Sequence, residues 1–210
     1  MSMLVVEWPT KISIPEWDVH FNVTQPYQAI PLLMALCYTP KNRRRTALDI
    51  GAHVGLISIQ LERIFDSVFG FEPSKELIEH YRKNVRKSVA INVALGAEVG
   101  NSGWRIVNPM NSGSGSLTEG EDVKVHPLDA YNMDPVDFIK IDVQDSELDV
   151  LKGGVKTLER NQPVIWMETP AGSEAAKFLL DLGAFECARM GRNAVFGWNN
   201  ECRRMRFTAS

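Results

Sequence analysis

Beyond Thr46 the chain alternates short apolar runs with longer stretches whose apolar residues recur every three or four positions, the pattern of buried strands joined by helical crossovers. It predicts a parallel sheet. TALDI (Thr46–Ile50) reads as the first strand, and Ile57, Leu61 and Ile64 mark one face of a helix over Gly55–Phe65. SVFGF (Ser67–Phe71) is the second strand. Ser74 caps the next helix, with Ile78, Tyr81 and Val85 turned inward and Lys75, Glu79, Arg82 and Lys83 toward water. VAINVAL (Val89–Leu95) follows as the third strand. Between Gly96 and Tyr131 the beat lapses into glycine-rich text with candidate strands near Trp104–Val107 and Val123–His126, read as an insertion over one end of the sheet. It resumes with DFIKIDV (Asp137–Val143), then one helix through Leu148, Leu151, Val155 and Leu158, and the strand PVIWM (Pro163–Met167). A helix over Ser173–Leu182 ends at Gly183. Phe185–Arg189 and Ala194–Trp198 flank Gly191-Arg192-Asn193 as a closing antiparallel hairpin. Ahead of the sheet, Tyr27–Cys37 suggests a short helix, with Pro31 either in its first turn or breaking it.

The composition is ordinary for a globular chain, at 44% hydrophobic and 23% charged residues over 210 positions, and points to one core. A formal net charge of -3 advertises no nucleic-acid or anionic-membrane partner and suits a small neutral or mixed-charge substrate. Cys37, Cys187 and Cys202 lack the spacing of a zinc site or a disulfide scaffold, so no metal is expected and a reducing, cytoplasmic location is the default. MSMLVVEWPTK shows no export leader, and the apolar stretch Ala29–Tyr38 falls short of the roughly 20 residues that span a bilayer. The basic runs Lys41–Arg45 and Arg203-Arg204-Met205-Arg206 read as a solvated loop and a solvated terminus.

Candidate chemistry concentrates where strands end. In Asp49-Ile50-Gly51-Ala52-His53-Val54-Gly55, the glycines either make a tight strand-to-helix turn or let backbone approach a ligand at a helix N-terminus. A dinucleotide fingerprint starting at Gly51 would need glycine at 53 and 56, where the chain has His53 and Leu56. Glu72 directly follows the second strand, beside that turn in a doubly wound sheet, and its carboxylate suits the hydroxyls of a ribose. Asp142 and Glu168 close the fourth and fifth strands; with His53 and His126 they are the acid-base candidates. Lys140, inside an apolar strand, is read as paired with a carboxylate. NSGSGSL (Asn111–Leu117) lacks the lysine of a phosphate-binding loop and is read as a substrate or cofactor contact or a plain loop.

ALDIGAHVG, FEPS, NVALG, NSGSGSL and FIKIDVQDSELDVLKGG, in this order over Thr46–Thr169, resemble the FkbM-type family of methyltransferases. The resemblance implies a Rossmann-like class I α/β fold with a seven-stranded, mostly parallel sheet whose last strand is antiparallel, and S-adenosyl-L-methionine as cofactor. It divides the chain into an N-terminal segment over residues 1–45, which could cover the active site, and a methyltransferase domain over 46–210. By position it assigns Asp49, Gly51 and His53 to the methionine end of the cofactor, Glu72 to its ribose, and Val93, Ala94 and Leu95 to its adenine, with Gly55 and Asp142 also among the cofactor-binding residues. Asp142 would stand near the methyl group, and Glu168 is a second catalytic candidate. Where the family commonly has Asn, this chain has His53; where it more often reads Glu-Gly-Ala, this chain reads Gln144-Asp145-Ser146. The expected activity is O-methylation of a small molecule or saccharide, with a catalytically altered cofactor-binding protein and an NAD-dependent oxidoreductase as rivals. No oligomeric state is implied.

Overall fold

The computed structural model describes the backbone of residues 11–18 and 21–198, with side chains for 11–18 and 28–198. Cys202 and the basic run 203–206 lie outside these residues. In chain order come α1 (Phe21–Cys37), β1 (Thr46–Ile50), α2 (Leu56–Leu61), β2 (Ser67–Phe71), α3 (Lys75–Asn84) and β3 (Val89–Ile91). Next are β4 (Ala94–Leu95), β5 (Gly100–Ile106), β6 (Gly115–His126) and β7 (Phe138–Ile141). The remainder is α4 (Glu147–Lys152), α5 (Val155–Asn161), β8 (Val164–Glu168), α6 (Glu174–Asp181), β9 (Phe185–Met190) and β10 (Asn193–Gly197).

Seven strands form the main sheet in the order β3-β2-β1-β7-β8-β10-β9, with β10 antiparallel to both its neighbours and the other pairs parallel. Parallel strands need crossovers, and here they cover both faces, so central strands are apolar at nearly every position. On β1, Ala47 joins Leu32, Leu36, Phe65, Phe138, Trp166 and Val195 on one face. Leu48 and Ile50 join Ile139, Ile165, Met167, Leu151 and Leu179 on the other. Each Leu, Ile, Val, Phe or Met among them, once fully buried, contributes about 1.5–3 kcal/mol.

Three elements depart from the expected pattern, each for a local reason. The third strand splits at Asn92, whose side-chain amide donates to the carbonyls of Glu72 (2.9 Å) and Pro73 (2.8 Å). β4 thereby leaves the main sheet and pairs with β6 in a second sheet of order β4-β6-β5. The helix expected through Leu148–Leu158 is two helices, broken at Gly153-Gly154. A Cβ on Gly153 would sit 2.0 Å from the carbonyl oxygen of Gly96, so the break lets the helix pair close on the second sheet. Finally, α1 is longer than expected and runs through Pro31, held by the burial of Leu32, Ala35 and Leu36 against the sheet. Of the cysteines among the described residues, Cys37 is free and exposed, and Cys187 is disulfide-bonded. No helix among the described residues is long and apolar enough to cross a membrane.

Candidate functional site

From β1 the chain proceeds outward to β2 and β3, then returns to β7 on the opposite side of β1. The carboxyl ends of β1 and β7 therefore flank the switch point, where open α/β sheets place their crevice. A cleft of about 340 Å³ lies there. Its floor is made by the turns after β1, β2 and β7, and Glu168 comes from the end of β8. Val93, Ala94 and Leu95 form one wall. The insertion closes another with Trp104, Ser112, Gly115 and Leu117, and Asp18 and Gln28 reach in from the N-terminal segment.

Side chains two residues apart share a strand face, so Lys140, Asp142 and, in register across from Lys140, Asp49 all point to one side. Lys140 Nζ lies 3.2 Å from Asp49 Oδ1 and 3.9 Å from Asp142 Oδ2, and donates to the Gly51 carbonyl at 2.6 Å. Burial alone would lower the pKa of this ammonium, but Asp49 and Asp142 outweigh it and raise the value. The expected pairing of Lys140 with carboxylates is therefore present. Asp49 is fully buried and also accepts from Ser58 Oγ (2.7 Å), which accepts from the Tyr81 hydroxyl (3.0 Å). Asp49 thus stands behind the turn and holds Lys140, while Lys140 holds Gly51. Gly55 (φ 87) is likewise behind it, against the Tyr81 ring at 2.9 Å from an added Cβ. Of the cofactor-binding candidates in this turn, Gly51 and His53 line the cleft, whereas Asp49 and Gly55 do not.

Glu72 is only 3% exposed. Its Oε2 accepts the backbone N–H of His53 and its Oε1 that of Ser74, both at 2.9 Å. Burial pushes its carboxyl up to about 7, against the pull of those two N–H groups and of Lys140. His53 has φ 52 and places Nε2 2.5 Å from Ser112 Oγ. Burial pushes its imidazole down to about 4, with Asp18 acting in the opposite sense, so it is neutral at pH 7. Ser112 Oγ in turn donates to Asp18 Oδ2, which also accepts the Ser112 backbone N–H at 3.2 Å.

Asp142 is partly exposed and accepts from Gln144 Nε2 at 3.3 Å. Glu168 lies 3.6 Å from Arg192. Burial, followed by the negative charge of Asp142, raises its pKa, and Arg192 opposes them. Gln144 (φ 49) and Asp145 (φ 73) both adopt the left-handed conformation, which glycine enters without a Cβ penalty. Removing the Cβ should relieve about 1 kcal/mol of backbone strain. Asp145→Gly is therefore expected to raise the melting temperature by a few degrees in a thermal scan, and an unchanged or lower midpoint would contradict this.

His126 does not line the cleft; its Nδ1 bonds the Tyr131 hydroxyl at 2.9 Å. Asp18, Gln28 and Trp104 do line it, and periodicity gave no sign of them. The one available signal was NSGSGSL, whose Ser112 carries the contact to His53. Among the described residues, no group of three or more His, Cys, Asp or Glu is placed to hold a metal ion.

A seven-stranded, mostly parallel sheet with an antiparallel strand inserted near one edge, and a cleft at its switch point, defines a Rossmann-like class I methyltransferase fold. Residues 49–187 match the methyltransferase FkbM domain, and the chain belongs to that family. It is similar to the structure of methyltransferase FkbM from Methylobacillus flagellatus KT, with 17% identity over 74% of this chain and 44% of that one, at a TM-score of 0.50. It is also similar to ribosomal protein L11 methylase from Lactobacillus delbrueckii subsp. bulgaricus, with 12% identity over 91% and 84% of the two chains and a TM-score of 0.51. The chain spans less than half the length of the Methylobacillus protein. At these identities the likenesses speak for the fold alone. No curated protein matches the chain.

Proposed function

We propose that this protein is an S-adenosyl-L-methionine-dependent methyltransferase acting on a hydroxyl of a small molecule or saccharide. The observation that carries the reading is Glu72, a buried carboxylate lining the cleft beside the β1 turn. Two backbone N–H groups leave its oxygens with further acceptor capacity, and a pKa near 7 means that they undercompensate its charge. Ribose hydroxyls are donors of the kind it lacks. Glu72 would hold the ribose, Val93, Ala94 and Leu95 the adenine, and Gly51 and His53 the methionine end.

When bound, the cofactor supplies a methyl group on a positively charged sulfur, already electrophilic. The chain's own residues then have to orient an acceptor and exclude water, and orientation alone is worth about 7–11 kcal/mol in good cases. Trp104 and Leu117 cover the cleft. Asp142, with Glu168 as the second candidate, would receive or orient the acceptor's hydroxyl proton. Carboxylates of Asp18, Glu72, Asp142 and Glu168 line the cleft, against the single lining ammonium of Lys140 among the described residues. That balance supports a neutral acceptor over a phosphorylated one or a nucleic acid.

Incubation with labelled S-adenosylmethionine and fractionated metabolites tests the whole reading. Labelled neutral product is expected. Binding without transfer to any acceptor would favour a cofactor-binding protein that has lost catalysis, a rival supported by Gln144 occupying Asp142 Oδ1.

Glu72 also sets a pH dependence. Hydroxyl donors favour its charged form, so binding should lower its pKa from about 7 and release a proton. Affinity for S-adenosylhomocysteine is then full above pH 7 and falls below it, by about tenfold per pH unit at most. Glu72→Ala should lose at least about tenfold in affinity, since each charge-assisted bond is worth about 1.5–3 kcal/mol. It should lose the pH slope as well. Calorimetry in buffers of different ionisation enthalpy measures both, and a folded mutant with native affinity would remove Glu72 from the site.

A further inference from the structure

Asp18 comes from a segment outside the matched family region, yet it ends in the cleft. Residues 11–18 are tied down along α2 and α3. Ser13 N donates to Asn84 Oδ1 at 2.7 Å, Ser13 Oγ meets His80 Nδ1 at 2.8 Å, and the Trp17 indole donates to Glu76 at 3.0 Å. Ile12 and Ile14 pack against Val54, Leu56 and Leu77. This path delivers Asp18, 8% exposed, to Ser112, 1% exposed.

An ionised carboxylate has no hydrogen to give, so the Ser112 hydroxyl hydrogen is committed to Asp18. The lone pairs of Ser112 Oγ then face His53 Nε2, and a hydrogen bond at 2.5 Å between them requires the hydrogen on Nε2. A neutral imidazole carries one ring hydrogen, so Nδ1 is the ring's acceptor nitrogen. The order also matters. Serine sits between histidine and aspartate, whereas nucleophile activation puts histidine in the middle. The chain therefore fixes a ring and a wall; it does not arm a nucleophile.

We infer that Asp18 is a positioning residue of the cofactor cleft, which through Ser112 sets the tautomer of His53 and latches both the N-terminal segment and the loop at 111–115 to the β1 turn. The inference uses the proposed cofactor only for its affinity readout. Its tautomer readout needs no ligand.

The test compares the full-length protein with Asp18→Asn, Asp18→Ala and Ser112→Ala by nitrogen-15 NMR of the histidine rings at pH 7, with His53→Gln to assign the signal. In the parent and in Asp18→Asn, whose carboxamide oxygen still accepts from Ser112, Nε2 of His53 should carry the hydrogen. In Asp18→Ala the Ser112 hydroxyl is released and can donate to Nε2, so a substantial Nδ1–H population should appear. S-adenosylhomocysteine affinity should fall about tenfold in Asp18→Ala and stay within about threefold in Asp18→Asn. The losses in Asp18→Ala and Ser112→Ala should not add in the double variant, because both cut one chain. An Asp18→Ala protein with parental tautomer and affinity overturns the inference, as does additivity of the two losses. Should Asp18→Ala fail to fold, Ser112→Ala decides: a parental affinity there overturns the latch. If the parent binds no S-adenosylhomocysteine, the cofactor reading fails, and the tautomers alone decide the role of Asp18.

Discussion

Gly51→Ala is expected to damage this protein almost as severely as Gly51→Val, because the obstacle is the Cβ itself. Gly51 has φ 73, and an ideal Cβ there would lie 1.9 Å from the carbonyl oxygen of Asp142 and 2.9 Å from its carbonyl carbon. Both atoms are backbone, at the end of a strand paired with β1, so no side-chain rotation makes room. Relief requires β1 and β7 to part where Asp142 N–H bonds Ile50 O (3.1 Å) and Gly51 O receives Lys140 Nζ (2.6 Å). Left-handed strain of about 1–2 kcal/mol and overpacking of about 1–3 kcal/mol then combine. A loss of about 2–5 kcal/mol is a large share of ordinary domain stability. Urea denaturation should show that loss for alanine, with valine at its upper end, and S-adenosylhomocysteine binding should disappear in both. If the glycine served only to let backbone meet ligand, alanine would be mild and valine severe in binding, with stability near the parent in both.

The clash at Gly51 shows what sequence pattern conveys and what it omits. A glycine after TALDI signals an unusual backbone conformation or a close approach. That the neighbour is Asp142, 91 positions later, follows only from the pairing of β1 with β7. The main sheet was readable because its central strands are buried on both faces and so appear as unbroken apolar runs. Lys140 stood out for the same reason, as a cation in a run with no room for an unpaired one. The breaks at Asn92 and Gly153 were hidden, since each depends on carbonyls elsewhere in the chain, those of Glu72, Pro73 and Gly96. Asp18 was hidden more deeply. Its partner Ser112 is 94 residues away, and such a contact leaves no period in either segment. Residues at the cleft that come from the sheet were therefore legible one by one, while the N-terminal segment and the insertion were legible only as a possible cover and as NSGSGSL, without Asp18, Gln28 or Trp104.

Asp142→Asn is expected to leave cofactor affinity within a few-fold of the parent while lowering methyl transfer by about a hundredfold or more, the lower range for losing a positioned acid or base. The fold should tolerate it. Lys140 keeps Asp49 at 3.2 Å as its counter-ion, and the 3.9 Å approach to Asp142 is the weaker of its two carboxylate contacts. Asparagine also retains an oxygen to accept from Gln144. What disappears is a negative charge lining the cleft. Gln144 cannot replace it, because an amide takes no proton at pH 7. Glu168 is the other carboxylate on that side, and Asp142 contributes to raising its pKa. Asp142→Asn removes that repulsion, leaving Glu168 more readily ionised and a better rescuer if the acceptor can reach it. Single-turnover rates with saturating S-adenosylmethionine and an acceptor found by the labelling screen would separate the roles. A hundredfold loss in Asp142→Asn with a small one in Glu168→Gln assigns the proton to Asp142. The reverse pattern moves it to Glu168, and a collapse of cofactor affinity in Asp142→Asn would make Asp142 a binding residue instead.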